Sequence, residues 1–245
     1  VPAGEIFVYD LDMSTLKMHE NPEARCGRAP CVLDEVHVTN IGTVSTTPLP
    51  RPVSRILLVS NMTYPQEQAI LEHFQVINEA GEGEFFSVQV LPDYKITGNL
   101  DLGSAHAVIL TEFSPSIPAD GLLNLRNAGK PILIVEHEKY NLSQYFNLVT
   151  SPDSIPAETE SIEVATHEHP ATCYLGEAEK VFAGPQTAFA VPPSAIPQEI
   201  MPLMLDPASG DVIALADNEN AILATGLSDT TRFSAKGWVV FDLFL

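Results

Sequence analysis

Polar side chains of acid–base and ligand-binding types follow three strongly apolar segments of the sequence. They are Asn61, Thr63, Glu112, Glu136, His137 and Tyr140. The carboxyl ends of parallel strands meet at one edge of a sheet, so we expect these side chains to converge there. A carboxylate keeps a nearby imidazole near a neutral pKa, so Glu112, Glu136 and His137 are candidates for general acid–base catalysis. Asn61, Thr63 and Tyr140 are the candidate ligand-binding residues. The alternative is that these polar residues simply end the strands.

Two other groups of residues carry potential ligands or cross-links. His167 and His169 would lie on one face of a strand and could bind zinc or copper as a pair, although a polar loop leading into Pro170 is the favoured explanation. Divalent cations are therefore possible partners. Cys26 and Cys31 flank a Gly/Pro-containing turn, which predicts a small disulfide loop in an oxidising compartment.

The usual nucleotide and acyl-transfer motifs are missing. The loop of residues 60–64 has no glycine, and neither a Gly-x-Gly-x-x-Gly nor a Gly-x-x-x-x-Gly-Lys sequence occurs, so we expect no nucleotide, flavin or other cofactor. No Gly-x-Cys-x-Gly or Gly-x-Ser-x-Gly nucleophile turn is present either. Nucleophilic catalysis on such a turn is therefore not expected.

The charge balance excludes some classes of partner. Of the 245 residues, 32 are acidic and 12 are basic, which gives a formal net charge of -20. Nucleic acid and anionic membrane surfaces need clustered Lys and Arg and are poor partners for this chain. The sequence has no apolar run of the roughly 20 residues that a membrane helix requires. The acidity fits a salty or calcium-rich extracellular medium, although it also serves as an ordinary solubilising surface.

Hydrophobic patterning predicts alternating strands and helices over much of the chain. The apolar run in residues 55–60 reads as a central parallel strand, and the spacing of apolar residues in 65–78 reads as an amphipathic helix. Further strands are predicted at 85–91, 107–110, 131–135, 162–164, 188–191 and 202–205, further helices at 121–128, 141–148 and 234–245, a loop at 151–159, and a hairpin at 211–225.

The same patterning divides the chain into three parts. Residues 1–47 read as an N-terminal β segment, too short to be stable alone. Residues 48–53 form a Pro-rich connector, which favours an extended conformation. Residues 54–245 form the main α/β domain, with a β-rich region after residue 150.

Several motifs resemble those of a known family. They are the strands Ile-Leu-Leu-Val-Ser (56–60), Ala-Val-Ile-Leu-Thr-Glu (107–112) and Lys-Pro-Ile-Leu-Ile-Val-Glu (130–136), then His-Pro-Ala-Thr (169–172), Val-Ile-Ala-Leu (212–215) and Gly-Trp-Val-Val-Phe-Asp (237–242). Residues 55–245 thus resemble the ThuA-like branch of the class I glutamine amidotransferase-like superfamily, in particular its divergent copies in secreted bacterial proteins. The resemblance implies a flavodoxin-like three-layer α/β sandwich with a mainly parallel sheet and a C-terminal β-rich extension. In catalytic relatives a cysteine nucleophile follows the strand that corresponds to 131–135, where this chain has Glu136, His137 and Glu138.

These features lead to two alternative expectations about function. The first is a non-catalytic extracellular or cell-surface structural module, which assembles with itself or binds another surface protein through residues 1–47. The second is a hydrolase of small or carbohydrate-like substrates, which uses Glu112, Glu136 and His137. The missing nucleophile favours the first.

Overall fold

The computed structural model divides the chain into two compact units, residues 1–52 and 53–245. It describes residues 7–11, 18–19, 32–33, 38–43, 53–80, 85–111 and 117–245. In the first unit, two antiparallel pairs join β1 (Phe7–Leu11) to β4 (Val38–Thr43) and β2 (Met18–His19) to β3 (Val32–Leu33). Cys26 and Cys31 lie outside the described residues, so their disulfide stays a prediction.

The second unit contains a large mixed sheet and few helices. Its elements in chain order are β5 (Ser54–Val59), α1 (Pro65–Ala80), β6 (Phe86–Leu91), β7 (Ala107–Thr111), α2 (Ala119–Asn127), β8 (Ile132–Val135), α3 (Asn141–Tyr145), β9 (Ile155–Thr159), β10 (Ser161–Val164), β11 (Ala178–Lys180), β12 (Gln186–Ala190), β13 (Met201–Leu205), β14 (Val212–Asp217), β15 (Ile222–Thr225) and α4 (Ala235–Asp242). None of the helices among these described residues has the length and hydrophobicity to span a membrane.

The main sheet has nine strands in the order β11-β10-β13-β14-β15-β8-β7-β5-β6. The strands β6, β5, β7, β8 and β15 run parallel to their neighbours in this group. The remaining strands join through antiparallel pairs, beginning with the β14–β15 hairpin. The parallel half therefore presents the carboxyl ends of four adjacent interior strands, β5, β7, β8 and β15, at one edge.

Helices cover both faces of the parallel half of the sheet. Successive side chains of a strand point to opposite faces, so both sets of side chains are buried. Ile56 and Leu58 of β5 pack in one apolar cluster with residues of α1 and α4. Leu57 and Val59 pack in a second cluster with residues of α2 and α3. This explains why β5 reads as a continuous apolar run rather than as an alternating one.

Most of the predicted elements are confirmed. β5 is an interior strand between β6 and β7, α1 follows it, and the predicted hairpin is the β14–β15 pair. Helix α4 begins as expected after Ser234, whose Oγ accepts the N–H of Gly237 at 3.1 Å. It ends at Asp242 rather than at residue 245, and α3 ends at Tyr145 rather than at residue 148.

The loop predicted at residues 151–159 is wrong in part, because β9 occupies its second half. β9 pairs antiparallel with β12 in a separate two-stranded sheet. Pro156 within it lacks a backbone N–H, which disguises the strand in the sequence. A proline is tolerated here because β9 has a strand on only one side.

Candidate functional site

A buried glutamate shapes the loop that follows β5. Glu67 lies in the first turn of α1 and is 2% exposed. Its Oε2 accepts the backbone N–H groups of Thr63 at 2.8 Å and Tyr64 at 3.0 Å. Its Oε1 accepts the hydroxyl of Thr111, the last residue of β7, at 2.9 Å. One carboxylate therefore fixes the ends of two neighbouring parallel strands relative to the start of α1.

The same loop forms one wall of an open cleft of about 510 Å³. Met62 adopts a positive φ of 52°, which turns the chain sharply before α1. The residues lining the cleft come from this loop, from the first turns of α1 and from the turn after β15: Met62, Thr63, Tyr64, Pro65, Gln68, Ala69, Glu72 and Thr231. The cleft is therefore lined by hydroxyl, amide and carboxylate groups together with apolar surface.

The turn after β8 places its two glutamates differently. Glu136 is fully buried, its N–H donates to the Thr225 carbonyl at 2.8 Å, and its Oε1 accepts the N–H of Ser143 at 2.6 Å. Glu138 has a positive φ of 60°, and its side chain is 76% exposed. Glu138 is thus exposed in this sharp turn, whereas the buried Glu136 accepts a hydrogen bond from the first turn of α3.

His137 lies between them and contacts the turn after β15. Its Nδ1 is 3.2 Å from the hydroxyl oxygen of Ser228, and its Nε2 is 3.9 Å from Oε1 of Glu138. The ring packs edge-on against Phe189, with centroids 5.1 Å apart. Ser228 is 2% exposed, whereas the side chain of His137 is 32% exposed. Within this group, the imidazole is accessible to a ligand and the serine hydroxyl is not.

Tyr140 belongs to the core beneath this turn. It is fully buried, and its hydroxyl lies 2.9 Å from the carbonyl oxygen of Phe189 and 3.0 Å from that of Ile213. Burial, reinforced by the negative charge of Glu136, raises the pKa of Tyr140 well above its ordinary value, and a backbone hydrogen bond with Gly226 opposes the shift. Tyr140 is therefore a neutral donor to the backbone, and its predicted contact with a ligand stays untested.

The turn after β15 connects the His137 group to the cleft. Ser228 contacts His137, while Thr230 donates its hydroxyl to the Gln66 carbonyl at 2.6 Å. Thr231, the next residue, lines the cleft. The His137 group and the cleft consequently share one rim of the sheet.

The predicted metal pair lies elsewhere and is not on a strand. β10 ends at Val164, and residues 167–169 lie in a turn, so the strand alternation behind that prediction does not apply. Nδ1 of His169 accepts the N–H of Ala171 at 3.0 Å, and Nε2 of His167 lies 3.5 Å from Oε1 of Glu177. Among the described residues, no three histidine, cysteine or acidic side chains form a group that could hold a metal ion.

The structure thus brings some of the predicted site residues to one edge. Thr63 lines the cleft, Asn61 is partly buried in the same loop, and His137 lies on the same rim. Glu112 lies outside the described residues, so its role stays a prediction. Sequence reasoning missed Glu67, Ser228 and Thr231.

A signal for Glu67 was present in the sequence. Pro65 is the first residue of α1 and Glu67 the third, and a glutamate there characteristically accepts the N–H of the residue before the helix. No comparable local signal marks Ser228 or Thr231, because their contacts are made across the sheet.

Comparison with known proteins gives similarity in structure only. No family model matches the sequence, and no curated protein matches it. A ThuA-like protein from Bacteroides uniformis ATCC 8492 aligns with a TM-score of 0.58 at 12% identity, over 78% of this chain and 89% of that one. A ThuA-like protein from Parabacteroides merdae ATCC 43184 aligns with a TM-score of 0.54 at 14% identity, over 80% and 88%.

These alignments show that the chain shares the fold of ThuA-like proteins, as its motifs predicted. At such identities the likeness extends to the fold alone. The fold hosts enzymes, so function has to be argued from the residues of the site.

Proposed function

We propose that residues 54–245 form a non-catalytic binding module on a flavodoxin-like, three-layer scaffold with a C-terminal β-rich extension. Its ligand is small, uncharged and rich in hydroxyl groups, of a carbohydrate-like class, and binds in the cleft beside α1. The observation that carries the proposal is the lining of that cleft.

The lining suits hydroxyl groups better than anions. Thr63, Gln68, Glu72 and Thr231 supply hydrogen-bond donors and acceptors, and Tyr64 supplies a half-exposed aromatic ring. None of the described lining residues is Lys, Arg or His. A phosphate or carboxylate ligand would therefore meet the Glu72 carboxylate without a compensating cation.

The turn after β8 supports a binding role over nucleophilic catalysis. Glu136 stands where the resemblance places the cysteine of catalytic relatives, and both Glu136 and the Ser228 beside His137 are buried. We further propose that the module acts outside the cell or at its surface, where the strongly acidic composition suits the medium. In this proposal residues 1–47 provide the contact with another copy or another surface protein.

The binding proposal is tested by screening the chain against an array of neutral and anionic glycans and titrating the best neutral ligand. Glu72→Gln should weaken that binding about tenfold, because hydrogen bonds to a charged group contribute most. Glu79→Gln is the matched control, since Glu79 is exposed on the same helix but does not line the cleft. Failure to bind any neutral glycan, or equal effects of the two substitutions, would contradict the proposal.

The geometry of His137 favours one second candidate, a hydrolase. With Nδ1 against Ser228 and Nε2 on the accessible side, the imidazole could take a proton from a water molecule that attacks the substrate. Glu138, near Nε2, would stabilise the imidazolium that forms. Turnover of p-nitrophenyl glycosides or esters that His137→Ala abolishes would establish this candidate, and turnover unaffected by that substitution would eliminate it.

A further inference from the structure

A second cavity of about 530 Å³ lies at the opposite end of the parallel strands. It is formed at the amino-terminal ends of β8 and β15, together with the β14–β15 loop, the turn at 169–171 and the residues after α4. Its lining is mostly aliphatic and aromatic: Pro131, Ile132, Pro170, Ala171, Ala216, Ala221, Ile222, Leu223, Leu243, Phe244 and Leu245, with His169, Asp217 and Asn218 as the polar members. The volume lies within the roughly 300–1,000 Å³ of small-molecule sites.

Hydrogen bonds hold the three polar residues of the cavity, His169, Asp217 and Asn218, in place. The side chain of Asn218 hydrogen-bonds His169, and Nδ1 of His169 accepts the N–H of Ala171. Asp217 accepts the backbone N–H groups of Glu219 at 3.0 Å and Asn220 at 3.1 Å. The cavity thus combines an extended apolar wall with a fixed group of hydrogen-bonding side chains, which is the usual composition of a ligand site.

We propose that this cavity binds a small, mostly apolar molecule whose single polar group, uncharged or cationic, hydrogen-bonds the side-chain amide of Asn218, which His169 holds in place. The apolar body would pack against Ile222, Leu243 and Phe244, where contact with water is replaced by contact with the ligand. This site is separate from the cleft beside α1 and does not depend on the function proposed for it.

The charges around the cavity exclude an anionic ligand. Asp217 is the only acidic side chain among its described lining residues, and none of them is Lys or Arg. Burial lowers the pKa of His169, with the hydrogen bond to Asn218 opposing, so the imidazole is neutral at pH 7 and provides no positive charge. The net charge of -20 adds to the repulsion of anions.

The neutral fluorescent probe N-phenyl-1-naphthylamine, which has an apolar body and one N–H group, tests the proposal with the full chain. We expect saturable binding with a rise in fluorescence, and much weaker binding of the sulfonated probe 1-anilinonaphthalene-8-sulfonate. Leu243→Ala should weaken binding of the neutral probe about fivefold by removing apolar contact. Leu123→Ala is the control, because Leu123 is 52% exposed on α2 and lies outside the cavity.

A second pair of variants tests the polar end. Asn218→Ala should lower the affinity for the neutral probe about fivefold, because one hydrogen bond to the probe is lost. Glu219→Gln, in the same loop but outside the lining, should leave the affinity unchanged. Absent or unsaturable binding, equal affinity for the sulfonated probe, or equal effects within either pair of variants would overturn the proposal.

Discussion

The carboxylate of Glu67 accepts the hydroxyl of Thr111 at 2.9 Å, across 44 residues of sequence. Thr111 ends β7, while Glu67 lies in the first turn of α1 after β5. Through its other oxygen Glu67 also holds the backbone of Thr63 and Tyr64. The wall of the cleft therefore has a defined position even though it is a loop at the edge of the sheet.

Replacing Glu67 by alanine should therefore damage both stability and the cleft. The N–H groups of Thr63 and Tyr64 lose their carboxylate acceptor, whereas the Thr111 hydroxyl keeps the Val59 carbonyl at 3.0 Å. Losing such hydrogen bonds costs about 1–3 kcal/mol. We expect the free energy of unfolding, measured by urea titration, to fall by at least that amount. Glu79→Ala, an exposed change on the same helix, should change it by less than about 0.5 kcal/mol. Equal stability of the two variants would show that Glu67 does not organise the loop.

Gly226 is the position least able to accept a side chain. A Cβ atom there would lie 1.8 Å from the Phe189 carbonyl oxygen and 2.6 Å from the Tyr140 hydroxyl oxygen. Gly226→Ala should consequently destabilise the domain by about 3 kcal/mol or more. Gly184→Ala meets nothing within 4 Å and serves as the matched control in thermal unfolding. If both variants melt at the wild-type temperature, the close approach of Gly226 to Phe189 and Tyr140 is not as described.

Tyr140→Phe should destabilise the core beneath the His137 turn. The substitution keeps the ring but leaves the carbonyls of Phe189 and Ile213 without their hydroxyl donor, at a cost of about 1–3 kcal/mol. Thermal unfolding should show a melting temperature several degrees lower. Tyr94→Phe, at a site that is 61% exposed, should melt with the wild type. An unchanged melting temperature for Tyr140→Phe would be evidence against these hydrogen bonds.

His169 should make stability fall as the pH is lowered. The unfolded chain takes up a proton on His169 near the ordinary value of 6.5, whereas burial lowers the pKa in the folded state. Below about pH 6.5 the unfolded state therefore binds more protons than the folded state at this site, and the free energy of unfolding decreases until the folded pKa is passed.

The measurement is urea unfolding of wild type and His169→Gln between pH 7.5 and 5. We expect the wild type to lose more stability than the variant over this range. A His169→Gln variant with the same pH dependence as wild type would contradict the half-buried, neutral state of His169.

Secondary structure could be predicted from the sequence where the local residue pattern matches the surroundings of the element in the fold. β5 was predictable because interior parallel strands are apolar on both faces, and the start of α4 because Ser234 is a good capping residue. Pro156 concealed β9, since the pairing that tolerates a proline is set by distant residues. Likewise, nothing near Glu136 in the sequence indicates that it is buried, because Ser143 and Thr225 create its surroundings only in the fold.

The position of the candidate site in the fold could be predicted from the sequence, but the contacts between its side chains could not. The edge at the carboxyl ends of the strands follows from topology alone, whereas the pairing of His137 with Ser228 depends on β15 lying next to β8. His137 and Ser228 are 91 residues apart in the sequence, so no local motif indicates that they are in contact.

The central claim, a ligand in the cleft beside α1, is tested most directly by methyl NMR with labelled methionine. Met62 lines the cleft, whereas Met204 is fully buried elsewhere and serves as an internal control. On titration with the best neutral glycan from the array, we predict a saturable shift of the Met62 methyl signal and an unchanged Met204 signal. A glycan that binds without moving the Met62 signal would contradict the assignment of the cleft as the ligand site.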